Sequence, residues 1–336
     1  MKKLQNSLYI TKQKTYVHKE RETIVIECDR KKLLQLPVHS IKSIFCFGNV
    51  MVSPFLLGFC AEKNIGLAFF TEYGSFLARM QGKQSGNVLL RRAQYKLSEK
   101  APLPIARNII AAKIVNSRAV LQRQVRNYEN TSQLERAISR LKHSLEQARN
   151  CREIDSLRGI EGEAASVYFS VFSQFLRNSD FKFEGRNRRP PKDPVNAMMS
   201  FLYSIFGQDI SAALQGVGLD PQVGFLHVDR PGRDSLAQDL LEEFRASCVD
   251  RLVLALINRK QISVKGFTTE SSGAVNMDDD TRKALLVAYQ EKKQEEIMHP
   301  YLKEKVPIGL LPHIQAQLLA AHIRGDVAEY PPFISR

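Results

Sequence analysis

The spacing of apolar residues changes once along the chain, and that change constrains the fold more than any other feature. Before residue 85, short β-type runs recur at 8–10, 16–18, 23–27, 41–47, 66–70 and 76–80, separated by turn-forming or polar residues. One helix interrupts them. Ser53 as N-cap and Pro54 at the first helical position open it, and it runs to about Glu62. From Leu89 onward, helical spacing dominates, over 105–128, 134–150, 154–176, 194–206, 235–258, 281–299 and 310–323. Segment 259–277, with SSGA near its centre, reads as a loop or small hairpin, and QGKQSGN at 81–87 has linker composition. The expectation is an α+β chain of two domains: a β-rich, sandwich-like N-terminal domain with one helix over 1–85, followed by an all-α domain over 86–336. No period of 20–50 residues is present, so a repeat array is not expected.

Charge narrows the partner. The chain carries 49 Lys+Arg against 35 Asp+Glu, a net charge of +14, which points to a polyanion. An anionic membrane surface competes with that reading, but the apolar stretch 50–70 is broken by Glu62, Lys63 and Asn64, so no span is expected. MKKLQNSLYITKQK is basic without a following apolar region, so no secretion signal is expected. The five cysteines (Cys28, Cys46, Cys60, Cys151 and Cys248) include no CxxC pair, which suits a reducing interior and makes the cytoplasm the default. Neither GxxxxGK[ST] nor GxGxxG occurs, leaving no nucleotide cofactor to expect.

Two stretches carry the chemistry. GFLHVDRPGRDSLAQDLLEEFR, 224–245, places His227 where an apolar run enters an arginine-rich turn. Ser235 and Gln238 then read as a capping box that starts a helix. On that helix Leu236, Ala237, Leu240, Leu241 and Phe244 share one side, Asp239 and Glu242 lie together on the opposite side, and Glu243 falls nearer the apolar edge. An imidazole and carboxylates can thus converge on a metal; a solvated acidic face beside a satisfied core histidine is the plainer alternative. LRGIEGEAASVYFSVF, 157–172, supplies a further carboxylate, Glu161, among small and apolar residues expected on a tightly packed helix. A charge there needs a metal, an arginine such as Arg158 or Arg152, or a hydrogen-bond network to offset its burial. Glu163 lies about 200° around the helix and faces elsewhere.

GIEGEAASVYF followed by GFLHVDRPGRDSLAQDLLEEFR resembles the CRISPR-associated Cas1 integrases, which insert new spacers into CRISPR arrays. The intervals agree with that family: 66 residues from Glu161 to His227 and 15 from His227 to Glu242. The resemblance extends from the β-rich opening through RNRRPPKDPVNAMMSFLYSIF to GFTTESSGAVNMDDDTRKALLVAYQ, and the tail YPPFISR resembles the branch of compact type I-C systems. It implies a metal site of Glu161, His227 and Glu242, with Glu242 ending the family's D-x-x-E/D pattern and Asp239 as its neighbour. Two oxygens and one imidazole suit Mg²⁺ or Mn²⁺ with open positions. It also implies a homodimer formed through the β-rich domain, double-stranded DNA (spacer precursor and CRISPR repeat/leader) as substrate, and a small partner, Cas2, that spaces two dimers in a heterohexamer-type complex.

Supporting residues follow. Arg230 and Arg233 flank the turn after His227 and can hold phosphates, as can Arg186, Arg188 and Arg189 in the proline-stiffened loop RNRRPPK. Asn196, Ser200 and Tyr203 recur along one helix face and either position DNA or hydrogen-bond inside the bundle. Arg118, Arg123, Arg126, Arg136 and Arg140 add charge on neighbouring helices. The remaining alternatives are a metal nuclease acting on branched or damaged DNA and a non-catalytic DNA-binding scaffold. In either enzyme or scaffold, counterion release predicts that log affinity for duplex DNA falls linearly with log salt, by about 0.9 per neutralised phosphate. A flat response between low and physiological salt in a filter-binding titration contradicts it.

Overall fold

The computed structural model describes residues 6–63, 65–74, 76–80, 82, 87–126 and 132–335. The linker expected at 81–87 lies almost wholly outside the described residues, as do Asn64, the first five residues and the 127–128 end of the helix expected from residue 105.

The first region comprises β1 (Asn6–Ile10), β2 (Thr15–Glu20), β3 (Thr23–Cys28), β4 (Lys31–Pro37), β5 (Ile41–Phe47), β6 (Val50–Val52), α1 (Pro54–Glu62), β7 (Gly66–Phe70) and β8 (Phe76–Met80). Every run expected to be β is a strand. β4 and β6 carry no comparable signal, because β4 mixes lysines and leucines without alternation and is mostly exposed, and β6 is only three residues long. Ser53 Oγ caps α1 by accepting from Leu56 N. One sheet has the order β1-β5-β7-β8, parallel except for β8; the other has the order β4-β3-β2-β6, a meander closed by β6 running parallel to β2.

The first sheet is buried on both faces, which explains the unbroken apolar run IFCF in β5. Ile44 and Cys46 enter a core with Val17, Ile24, Leu56 and Cys60, between the two sheets and α1. Phe45 and Phe47, one residue out of phase, join Ala68 and Phe70 in the core of the helical region.

That region holds α2 (Val88–Lys100), α3 (Leu103–Val125), α4 (Ser132–Asn150), α5 (Ile154–Ser170), α6 (Pro194–Val217), α7 (Ser235–Leu241), α8 (Arg251–Asn258), α9 (Asp279–Gln294) and α10 (Leu311–Arg324). It is not purely helical. Phe267–Thr269 pairs with Val275–Met277 as the small hairpin within 259–277, and Glu296–Met298 pairs with Lys305–Pro307, ending the last turn of the helix expected over 281–299. The helix expected over 235–258 is three pieces: α7, a turn at 242–244 with the π-helical Arg245–Asp250, and α8. α6, in contrast, runs eleven residues beyond the expected 206, to a Gly218 cap at φ 91°. No helix among the described residues is long and apolar enough to cross a membrane.

Side chains lock the two regions together. Phe201 of α6 is 3% exposed and stacks on Phe47 at 5.8 Å between centroids. Lys293 of α9 meets Asp209 of α6 at 2.8 Å and Ser7 of β1 at 3.3 Å. Arg79 of β8 meets Asp234, the residue before α7, at 2.7 Å. Truncating the buried aromatic, Phe201→Ala, is expected to cost about 3–5 kcal/mol of unfolding free energy in urea titrations.

Candidate active site

Glu161 projects from α5, His227 stands in the irregular segment between α6 and α7, and Glu242 begins the turn after α7. A fourth side chain, Lys113 of α3, joins the two carboxylates. Its ammonium pairs with Glu161 Oε1 and stands 2.7 Å from Glu242 Oε2. Glu242 is 4% exposed, and its other oxygen, Oε1, lies 3.1 Å from Arg245. Burial alone would raise the Glu242 pKa, but Arg245, Lys113 and the nearby His227 together hold it down at about 2. Burial likewise opposes the charge on Lys113, and the two carboxylates reverse that, keeping its pKa above the ordinary lysine value.

Asp239 organises the histidine. Its carboxylate is fully buried and accepts from the backbone N–H groups of Phe225 (2.6 Å), Leu226 (3.0 Å) and His227 (2.9 Å). His227 Nδ1 lies 2.6 Å from Asp239 Oδ1, so Nδ1 carries the proton and Nε2 is the nitrogen left to ligate. Gly224 makes this wrap possible: a Cβ there would stand 2.8 Å from Asp239 Oδ2 and 3.0 Å from Ser235 Cβ. Arg158 ties α5 to the same segment through Leu226 O at 2.8 Å and pairs with Asp155, so Glu161 finds its cation in Lys113 and not in Arg158.

Several expectations need correction. The Ser235–Gln238 capping box does not form: Asp234 precedes α7, Ser235 Oγ donates to Val228 O, and Gln238 accepts from Arg245. The acidic side of α7 is not a solvated face. Asp239, Glu242 and Glu243 are all buried, because the helix ends at Leu241 in the middle of the bundle and is enclosed on every side. Glu161 is less enclosed than its apolar neighbours suggested, with 27% of its side chain exposed, and Gly159 and Gly162 face open space. Asn196 is fully buried and holds a loop; it accepts from Arg186 at 2.5 Å and donates to Gly185 O and Asp193. Ser200 accepts from Arg186 at 3.1 Å, and Tyr203 donates its hydroxyl to Asp250. The guanidinium groups of Arg186 and Arg245 stack on the Tyr203 ring at 5.3 and 4.8 Å. The polar stripe on α6 thus bonds inside the bundle.

Arg188, Arg189 and Arg230 are exposed, and Arg233 is half-buried. Burial first, and then the charges of Arg230, Arg188 and Arg189, push the Arg233 pKa down, which places these guanidinium groups in one field beside the His227 segment. Among the described residues no carboxylate forms an ion pair with any of the four.

The donor chemistry fits a hard divalent cation. Two carboxylates from separate elements share one positive group, an imidazole whose Nδ1 is taken by Asp239 lies near enough to Glu242 to help hold it ionised, and Glu242 Oε2 is buried without a well-directed hydrogen bond. Among the described residues, no three His, Cys, Asp or Glu side chains are grouped as ready metal ligands; Lys113 stands between the carboxylates. Lys113, Arg245 and Asp250 escaped the sequence reading. The available signal was a lone lysine in the apolar run IIAAKIV, whose charge had to be answered from another helix.

Glu243 points away from the site into the C-terminal segment. Its carboxyl accepts from Tyr330 Oη (2.7 Å), Phe333 N (2.7 Å) and Gln315 Nε2 (3.1 Å). Full burial raises its pKa to about 8 despite those bonds. The folded chain therefore holds a proton that the unfolded chain releases near the ordinary glutamate value. The contribution of Glu243 to stability is therefore complete below that value and falls, by roughly 1 kcal/mol per pH unit, as pH rises towards 8. Glu243→Gln is expected to flatten this slope in denaturant titrations between pH 5 and 8.

Comparison with known proteins places this chain in a family. The family description CRISPR associated protein Cas1 matches residues 8–291. The chain is 49% identical to a CRISPR-associated endonuclease Cas1 of Chlorobaculum tepidum, with 100% of both chains covered, and 47% identical to one of Rhodospirillum rubrum, with 99% of both covered. Its fold matches a Cas1 protein of Thermotoga maritima with a TM-score of 0.83 at 26% identity, over 95% of this chain and 97% of that one. A casposase bound to integration product has the same fold, with a TM-score of 0.83 at 22% identity, over 97% and 93%. The chain belongs to the CRISPR-associated Cas1 family.

Proposed function

We propose that this chain is a metal-dependent DNA integrase and endonuclease of CRISPR adaptation. It would join the 3′-hydroxyl of a DNA fragment to a phosphodiester at the edge of a CRISPR repeat. The observation that carries this reading is the meeting of Glu161 and Glu242, from separate elements, on one cation beside His227. The name of the Chlorobaculum relative, an endonuclease, and the integration product held by the casposase support the same reaction class.

Glu161, Glu242 and His227 Nε2 would hold Mg²⁺ or Mn²⁺. Bound there, such an ion polarises phosphorus and stabilises the negative charge of the five-coordinate transition state. Asp239 fixes the His227 tautomer and ring, and Arg245 fixes Glu242. Arg188, Arg189, Arg230 and Arg233 present unpaired guanidinium groups to the phosphates on either side. Attack by a 3′-hydroxyl conserves the number of phosphodiester bonds, whereas attack by water shortens the strand; the products of one assay therefore separate integration from hydrolysis. A pure scaffold would gain nothing from the cost of burying Glu242 in this cluster.

The partners follow the family. A Cas6-RT-Cas1–Cas2 complex shares the fold with a TM-score of 0.84 at 21% identity, over 99% of this chain and 36% of that one, which supports Cas2 as a partner. The β-rich region, read as a domain over 1–85, would form the homodimer seam, and the exposed Tyr16, Leu33, Leu34, Met51 and Phe55 are apolar surface suited to it. The helical remainder, 86–336, would carry catalysis and DNA. Glu161→Gln, His227→Ala and Glu242→Gln are each expected to lower strand joining on the order of 100-fold or more while duplex binding persists. Full joining activity in any of the three on a labelled fragment and a repeat-containing plasmid would overturn the assignment.

A further inference from the structure

We propose that Lys113 is an internal counter-ion that pre-assembles the two carboxylates and competes with the divalent cation for Glu242 Oε2. The proposal rests on the metal-site reading above and adds to it a group that controls how readily the site fills.

Charge balance is the first argument. The charges of Glu161 and Glu242 are matched by two cations, Lys113 and Arg245, so these four groups balance before any ion arrives, and the remaining carboxylate, Asp239, is already taken up by three backbone N–H groups and His227. A neutral cluster attracts a dication weakly. Adding two positive charges beside a fixed ammonium and guanidinium is repulsive at short range in a poorly screened site. Removing the ammonium leaves two close carboxylates with one guanidinium, paired to Glu242, which favours the dication strongly.

The second argument decides which cation yields. Arg245 is fixed on several sides: it stacks on Tyr203, lies 3.3 Å from Gln238 Oε1, and starts the π-helical segment. Among the described residues the Lys113 ammonium pairs with the two carboxylates alone, at the end of a flexible four-carbon stem from α3. It occupies Oε2, the atom of Glu242 that Arg245 does not take. The ammonium can swing away without disturbing α7 or the turn after it, whereas the guanidinium cannot.

The third argument is geometric. Glu161 of α5 and Glu242 of the turn after α7 are joined here through Lys113 of α3, so the ammonium holds the pair together in an arrangement a metal can inherit. A substrate phosphate entering beside the site would supply a negative charge for the displaced ammonium and so couple ion entry to DNA entry.

The test is Mn²⁺ binding to the full chain by isothermal titration calorimetry without DNA, comparing the unmodified protein with Lys113→Met, Lys113→Gln and Lys113→Arg. The methionine and glutamine variants are expected to bind Mn²⁺ at least about tenfold more tightly, to unfold at lower temperature without metal, and to regain that loss when Mn²⁺ is added. Lys113→Arg should keep the weak binding. A folded Lys113→Met or Lys113→Gln with affinity equal to or below that of the unmodified protein overturns the proposal. If the methionine variant folds only with Mn²⁺, that dependence supports it. Glu161→Gln and Glu242→Gln separate this outcome from failure of the site itself: Mn²⁺ binding undiminished by both would sink the metal-site reading, independently of what Lys113 does.

Discussion

Like charges cannot be brought together inside a protein unless something of opposite sign comes with them, and the centre of this molecule is organised around that requirement. Glu161 and Glu242 meet, and Lys113 and Arg245 meet them. Each of those cations is placed by a different device. Lys113 extends from the long helix α3; Arg245 is stacked on Tyr203, whose hydroxyl is answered by the buried Asp250. Behind the histidine, three consecutive backbone N–H donors are turned onto Asp239, a use of main chain that regular helix or strand would not allow.

Irregular structure therefore collects around the buried charges. The break after Leu241 exposes the carboxylates of Glu242 and Glu243 to different surroundings although they are adjacent in sequence. One faces cations and is held ionised; the other faces Tyr330, Gln315 and the backbone of Phe333 and favours its proton. A continuous helix would turn successive side chains by a fixed 100° and keep Arg245 and Asp250 in another relation to Tyr203. The π-helical segment changes that relation, bringing both to the same ring and hydroxyl.

Much of this was legible in the residues. The switch from period two to period 3.6 located both regions, and Ser53-Pro54 located α1, because these signals are local. The order and spacing of Glu161, His227 and Glu242 carried the family. What escaped was what depends on distant contacts. Lys113 is one lysine among many until α5 and the turn after α7 are placed beside it. The stop at Leu241 has no breaker residue. Asn196 reads equally as a DNA contact or a hydrogen bond inside the bundle until the 185–187 loop folds over it. The face argument on α7 grouped Asp239 with Glu242 and set Glu243 apart, but it left open whether water or protein lies on the polar side, and protein does.

The sheet order β1-β5-β7-β8 leaves one further mark. Its strands belong to two cores at once, through alternate side chains of β5 and β7. A recombinant fragment beginning at residue 88 would strip Phe45, Phe47 and Phe70 from the helices and leave their seat wet, so the helical region could not be expressed alone without redesigning that patch. Sequence drift on β5 is hemmed in from both directions, and the two halves are bound to diverge together.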